Sequence, residues 1–145
     1  MKTQLLKGLA MFSVSITLLV GSVQAQTGYV MEANIPFDFT AGSTSLRAGI
    51  YKVELISANT LLVRSIDGKK SVLVLAWQAE HVRTRKPARI IFNRYGDRYF
   101  LAQTFSGEAD LGCQVNASRA ERDLAREYRL AKSDAKPQRV EVAMR

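Results

Sequence analysis

Apolar side chains recur at every second position along much of this chain, a period that builds a strand with one face turned inward. Ile35, Phe37 and Phe39 alternate with Pro36 and Asp38, and Tyr51, Val53 and Leu55 with Lys52 and Glu54. Pro36 lacks the N–H that a ladder needs, which places the first run at a sheet edge or a strand start. Ala41-Gly42-Ser43 and Ala48-Gly49 read as turns between runs. Two dipeptides set hairpin registers. Asp67-Gly68 suits a two-residue type I′ loop and Gly96-Asp97 a type II′ loop with glycine first. Counting outward from Asp67-Gly68 pairs Val63 with Val72, Leu61 with Val74 and Leu62 with Leu73. Because both faces of that hairpin are apolar, it is expected at the centre of the sheet, covered on both sides. Counting from Gly96-Asp97 pairs Tyr95 with Arg98, Arg94 with Tyr99, Asn93 with Phe100, Phe92 with Leu101 and Ile91 with Ala102. Arginines and tyrosines gather near this turn, where guanidinium groups stack on rings and stabilise a hairpin face.

Strands recurring at intervals of roughly ten residues, with turns between them and no strand–helix–strand alternation, predict a mainly β chain. The expected architecture is an antiparallel β-sandwich or small barrel over residues 26–115, followed by one C-terminal surface α-helix within 116–133. Ser118 and Glu121 have the spacing of a capping box, so the helix starts near Arg119 and ends near Lys132. Its apolar stripe, Ala120, Leu124, Tyr128 and Ala131, is thin. Arg119 and Asp123 are spaced for an i,i+4 pair, and the six basic residues from Arg119 to Lys136 read as a solvated face. Residues 134–145 are polar, contain Pro137 and read as a flexible tail.

The N-terminus carries a different pattern. Lys2 and Lys7 precede an apolar run from Leu9 to Val20 and the small-residue sequence Val23-Gln24-Ala25. This is the layout of an export signal cleaved after Ala25. As a membrane span the run is too short against the ~20 residues required, and Ser13, Ser15 and Thr17 dilute it. The expected location is therefore periplasmic or extracellular, with nothing spanning the membrane after cleavage. Without Lys2 and Lys7, 19 basic residues face 13 acidic ones, a net charge of +6 on 120 residues. That length suits one domain able to bury a core without metals or disulfides. Cys113 is the single cysteine, so no intramolecular disulfide forms; it is either a small buried hydrophobe, the favoured role, or an exposed thiol able to pair with another chain.

The segments Ile35-Pro36-Phe37-Asp38-Phe39, Ala48-Gly49-Ile50-Tyr51, Arg64 to Gly68, Phe92 to Leu101 (containing RYGDRYFL) and Ser118-Arg119-Ala120-Glu121-Arg122 together resemble a family of small exported β-rich proteins of environmental bacteria. The resemblance spans most of the chain after residue 25. It implies export and a β fold, and it brings no activity, ligand or catalytic residue with it.

Chemistry is sparse. His81 is the single histidine, whereas zinc sites and catalytic triads draw on several ligands or on a base beside a nucleophile. A Cys113–His81 pair would need the fold to bring the two together. Glu108 and Asp110 form at most a fragment of a calcium loop, and no phosphate-binding loop, dinucleotide fingerprint or nucleophile elbow is present. No catalytic residue, metal or cofactor is expected. The one compositional cluster is Arg83, Arg85, Lys86 and Arg89, four cations in seven residues around Pro87. It attracts anions at long range, and equally serves as a charged loop that blunts a sheet edge. Export argues against nucleic acid and favours an envelope protein or an anionic polymer as partner. The leading expectation is a non-enzymatic structural or interaction domain. The alternatives are a binding module for a small apolar ligand or anionic glycan, and a hydrolase whose site the fold assembles.

Overall fold

The computed structural model describes residues 30–79, 86–107, 112–131 and 136–145. The export signal, His81, Arg83, Arg85, Glu108, Asp110 and Lys132 lie outside the described residues. The fold is mainly β, with one C-terminal helix: β1 (Val30–Ile35), β2 (Phe39–Ala41), β3 (Thr44–Leu46), β4 (Gly49–Ser57), β5 (Thr60–Ser65), β6 (Ser71–Ala79), β7 (Arg89–Tyr95), β8 (Arg98–Phe105), β9 (Gly112–Val115), α1 (Arg119–Ala131) and β10 (Gln138–Ala143).

The strands pair in the order β1-β4-β5-β6-β9-β8, with β7 and then β10 continuing beyond β8. β2 also pairs with β8 and carries β3 as a hairpin. The β2–β8 pair, Phe39 beside Tyr99 and Thr40 beside Phe100, is parallel, a departure from the expected all-antiparallel sheet. The two ends of this open ladder touch at one place. Glu32 N–H donates to Arg145 C=O at 2.8 Å and Arg145 N–H to Glu32 C=O at 3.0 Å, with Ala33 opposite Met144. The wrap is sandwich-like and is fastened by that bridge.

The bridge depends on the C-terminal segment, which corrects the expectation of a flexible tail at 134–145. Gln138–Ala143 pair antiparallel with β7 across six residues. Val140, Val142 and Met144 alternate with charged or small residues, a period of two that supplies an inward face once an unpaired edge of β7 is available. Val140 and Val142 pack on the core and Met144 is part of it.

Both hairpin registers are those counted from the sequence, with two local corrections. The β5–β6 ladder pairs Val63 with Val72, Leu62 with Leu73 and Leu61 with Val74. Its loop is longer than two residues: Gly68 N–H donates to Ser65 C=O and Ser65 N–H to Lys70 C=O, both within 2.9 Å, leaving Ile66 to Lys69 as the loop. Gly68 takes a φ of 71°, where a residue without Cβ carries no strain. The β7–β8 ladder keeps Gly96-Asp97 as a two-residue loop, with Gly96 at φ 61°. There Ile91 pairs with Gln103 rather than Ala102, because Ala102 is bulged. The run Ile35–Phe39 is two strands. Pro36 interrupts the ladder, and the chain turns a corner there.

Ile35, Phe39, Val53, Val63, Ile90, Phe92 and Leu101 fill the interior, and Phe37 is half-buried against it. Phe92 is the hub of the aromatic packing, with ring centroids 5.1 Å from Phe37 and 5.3 Å from Phe39, both edge-on. Cys113 is buried in the same cluster, and burial pushes its thiol above the ordinary range, with a Thr104 hydrogen bond acting the other way.

α1 begins one turn after β9 and covers part of the outer face. Ser118 Oγ accepts from Glu121 N–H at 3.1 Å, which is half of a capping box. The Glu121 carboxylate does not complete it. It turns under the helix and accepts from Asn93 Nδ2 at 2.9 Å. The face held against the sheet is therefore Glu121, Leu124, Ala125 and Tyr128, shifted from the expected stripe, whose Ala120 and Ala131 are exposed. Tyr128 meets Tyr95 edge-on at 5.7 Å. Arg119 and Asp123 make the expected pair at 3.9 Å, on the solvent side.

Candidate interaction surface

The outer face of β6 is where the structure departs most from expectation. Period two points Val72, Val74 and Ala76 one way and Leu73, Leu75 and Trp77 the other. Val74 and Ala76 are buried in the core. The second row is bare: Leu73 is 63 % exposed, Leu75 64 % and Trp77 53 %. The hairpin is thus central but covered on one side only, because α1 is the only helix among the described residues and lies over β7. Over four residues of strand the ridge runs about 13 Å, with half-buried Leu62 opposite Leu73 and Thr60 opposite Leu75.

Trp77 is held in place. Its Nε1–H donates to Asn116 Oδ1 at 2.5 Å, and Asn116 N–H donates to Leu75 C=O at 3.3 Å, so the segment leading into α1 fastens the indole to the ridge. Next to Trp77 on β9 stands Gln114, and beyond it Gln103 on β8.

Cations flank both ends. At the hairpin end, Lys69 and Lys70 occupy the loop and its exit, and Arg64 stands opposite both Ser71 and Lys52. Lys52 and Arg64 are exposed like charges in direct cross-strand register, and on its other side Lys52 faces Glu32, which offsets their repulsion. Neither makes an ion pair with another described residue. At the other end, Arg122 Nη1 donates to Ala117 C=O at 2.7 Å, next to Asn116 and the indole.

The basic cluster singled out in the sequence divides differently. Lys86 is exposed. Arg89 is engaged within the fold: its guanidinium lies over the Phe105 ring at 4.4 Å and its Nε is 3.7 Å from Glu141 Oε2, an ion pair with the C-terminal strand. That cation braces the β7–β10 pair. Arg94 and Arg98 likewise lie over Tyr99 and Phe100, at 5.3 and 5.4 Å, consistent with the structural role expected for the hairpin arginines.

Two clefts flank β3. One of about 600 Å³ lies between Leu46, Ile50 and Tyr51 on one side and Ile66, Asp67 and Lys69 on the other. Tyr51 hydroxyl donates there to Arg47 C=O at 2.7 Å, and burial, followed by the nearby Asp67 and Asp38 carboxylates, raises its pKa. Asp67 is held below the ordinary carboxylate range first by the Ser65 hydroxyl and then by the Lys69 amide. The other, of about 380 Å³, brings Asp38, Arg47, Asp97 and Arg98 around Tyr99. No group of three or more His, Cys, Asp or Glu side chains spaced for a metal occurs among the described residues. Nor is any helix among them long and apolar enough to cross a membrane.

The sequence search for charge and nucleophiles missed the ridge because its signal was read as packing. Leu73, Leu75 and Trp77 carry the period of a buried face. Comparison with family models, with curated proteins and with solved structures finds no match to this chain.

Proposed function

We propose that this chain is an exported, non-enzymatic interaction domain of the bacterial envelope, released from residues 1–25 and docking through the outer face of β6. The observation that carries this reading is the Leu73–Leu75–Trp77 ridge. Contiguous exposed apolar surface is uncommon on a folded monomer and marks a place where something binds. Trp77 is anchored by Asn116, so the surface is organised before any partner arrives. The alternative of a small apolar ligand held inside the fold is less well supported, since Phe39, Val53, Phe92 and Leu101 already fill that space.

The test is site-specific photo-cross-linking in the exporting cell. A benzophenone side chain at position 75 is expected to capture a partner, protein or lipid, that the same group at exposed Arg139 on β10 does not. Equal adducts at both positions, or none at 75, would overturn the reading.

A further inference from the structure

We propose that the ridge seats on an anionic phospholipid surface. This rests on the outer face of β6 being the docking face, and adds the chemistry of what docks. A flat row of two leucines and a tryptophan matches the headgroup–acyl boundary, where an amphipathic indole is favoured and aliphatic side chains escape water. The charge pattern selects the sign of that surface. Lys52, Arg64 and Lys70 lie at the hairpin end of the ridge, beside a Lys69 paired with Asp67 at 3.7 Å, and Arg122 at its α1 end; they outnumber Glu54, opposite Leu62, and Glu32, opposite Lys52, on the same face.

Arg64 is the informative cation, because its cross-strand neighbours are Lys52 and Ser71, whereas Lys52 itself faces Glu32. Phosphates laid over Arg64 supply the counter-charge that its strand neighbours do not. Each Lys or Arg brought near an anionic leaflet strengthens binding about fivefold. The same charges argue against a second copy as occupant. Two ridges face to face would bring cationic flanks together in a domain of net charge +6 without residues 1–25.

Trp77 is the single tryptophan, so its fluorescence reports this face alone. Full-length chain is titrated with vesicles of equimolar phosphatidylglycerol and phosphatidylcholine, with phosphatidylcholine alone, and with each containing brominated acyl chains. The apolar run Leu9–Val20 can enter a bilayer by itself, so co-sedimentation is not the readout. The expected result is a blue shift of Trp77 emission, with bromolipid quenching, in anionic vesicles and neither in neutral ones. The double variant L73S/L75S, altered at two exposed positions, should lower the partition constant reported by Trp77 at least about tenfold. R64E/K70E leaves the apolar row intact and should lower it at least about 25-fold, with far-UV circular dichroism unchanged in both variants.

An unshifted Trp77 in anionic vesicles overturns the proposal, as does an equal shift in neutral ones. A shift that grows with protein concentration without lipid makes a second copy the occupant and overturns it too. A protein adduct at position 75 with a silent Trp77 in vesicles removes the lipid and keeps the docking face. The absence of both removes the two readings together.

Discussion

Replacing Glu121 by glutamine and by alanine separates the charge of a buried side chain from its contacts. Glu121 is 4 % exposed, in the first turn of α1, and accepts from Asn93 Nδ2 at 2.9 Å. Burial raises its pKa above the ordinary carboxylate value, and the Asn93 hydrogen bond opposes that to a smaller extent. A helix N-terminus favours an anion by only about 0.3–1 kcal/mol. A carboxyl whose folded pKa is raised contributes stability that is complete below the unfolded value, about 4.3, and is lost as pH rises through the folded pKa. Glu121→Gln keeps an oxygen for Asn93 and carries no charge. It should match the wild type at pH 4 and exceed it at pH 8. Glu121→Ala removes the γ-methylene, worth about 0.8 kcal/mol, and with the carboxyl gone leaves the Asn93 amide unpaired, at about 1–3 kcal/mol. At pH 4 the loss is therefore about 2–4 kcal/mol, and it shrinks towards pH 8 as the wild type takes on its buried charge. Urea unfolding followed by circular dichroism between pH 4 and 8 measures both. If Glu121→Gln is destabilised at pH 8 as much as Glu121→Ala, the carboxylate is favourable where it sits and the reasoning fails.

Two further outcomes follow from the interior. Phe92→Ala removes a fully buried ring packed edge-on against Phe37 and Phe39, and should cost about 3–5 kcal/mol in the same urea assay; a loss under about 1 kcal/mol would show that the site collapses around the cavity. Cys113 is buried with its thiolate disfavoured, so an aromatic disulfide reagent should label it no faster than the domain opens, and rapid stoichiometric labelling of native protein would contradict its placement.

The hairpins were legible because register is a local quantity. Once Asp67-Gly68 and Gly96-Asp97 were recognised as turns, counting residues paired Leu62 with Leu73 and Arg94 with Tyr99. The Ala102 bulge was not legible, since a bulge is fixed by how two strands twist together. β10 was misread for a related reason. Val140 and Val142 alternate over a short polar stretch, and only the free edge of β7, more than forty residues away in sequence, turns that into a strand. The candidate surface was hidden because solvent and core look alike from sequence when both faces of a strand are apolar.

The sequence by itself determined the strand-rich class, the two hairpin registers and the Ser118 cap, because periodicity, turn chemistry and helix capping act within a few residues. The tertiary structure decided which apolar row faces water, that Glu121 points at Asn93 instead of back to its cap, that Arg89 braces Glu141, and that Arg145 fastens the C-terminus to Glu32. Those outcomes depend on elements distant along the chain, and the bare row in particular follows from α1, the only helix among the described residues, lying over β7. The face it leaves bare carries the proposed function.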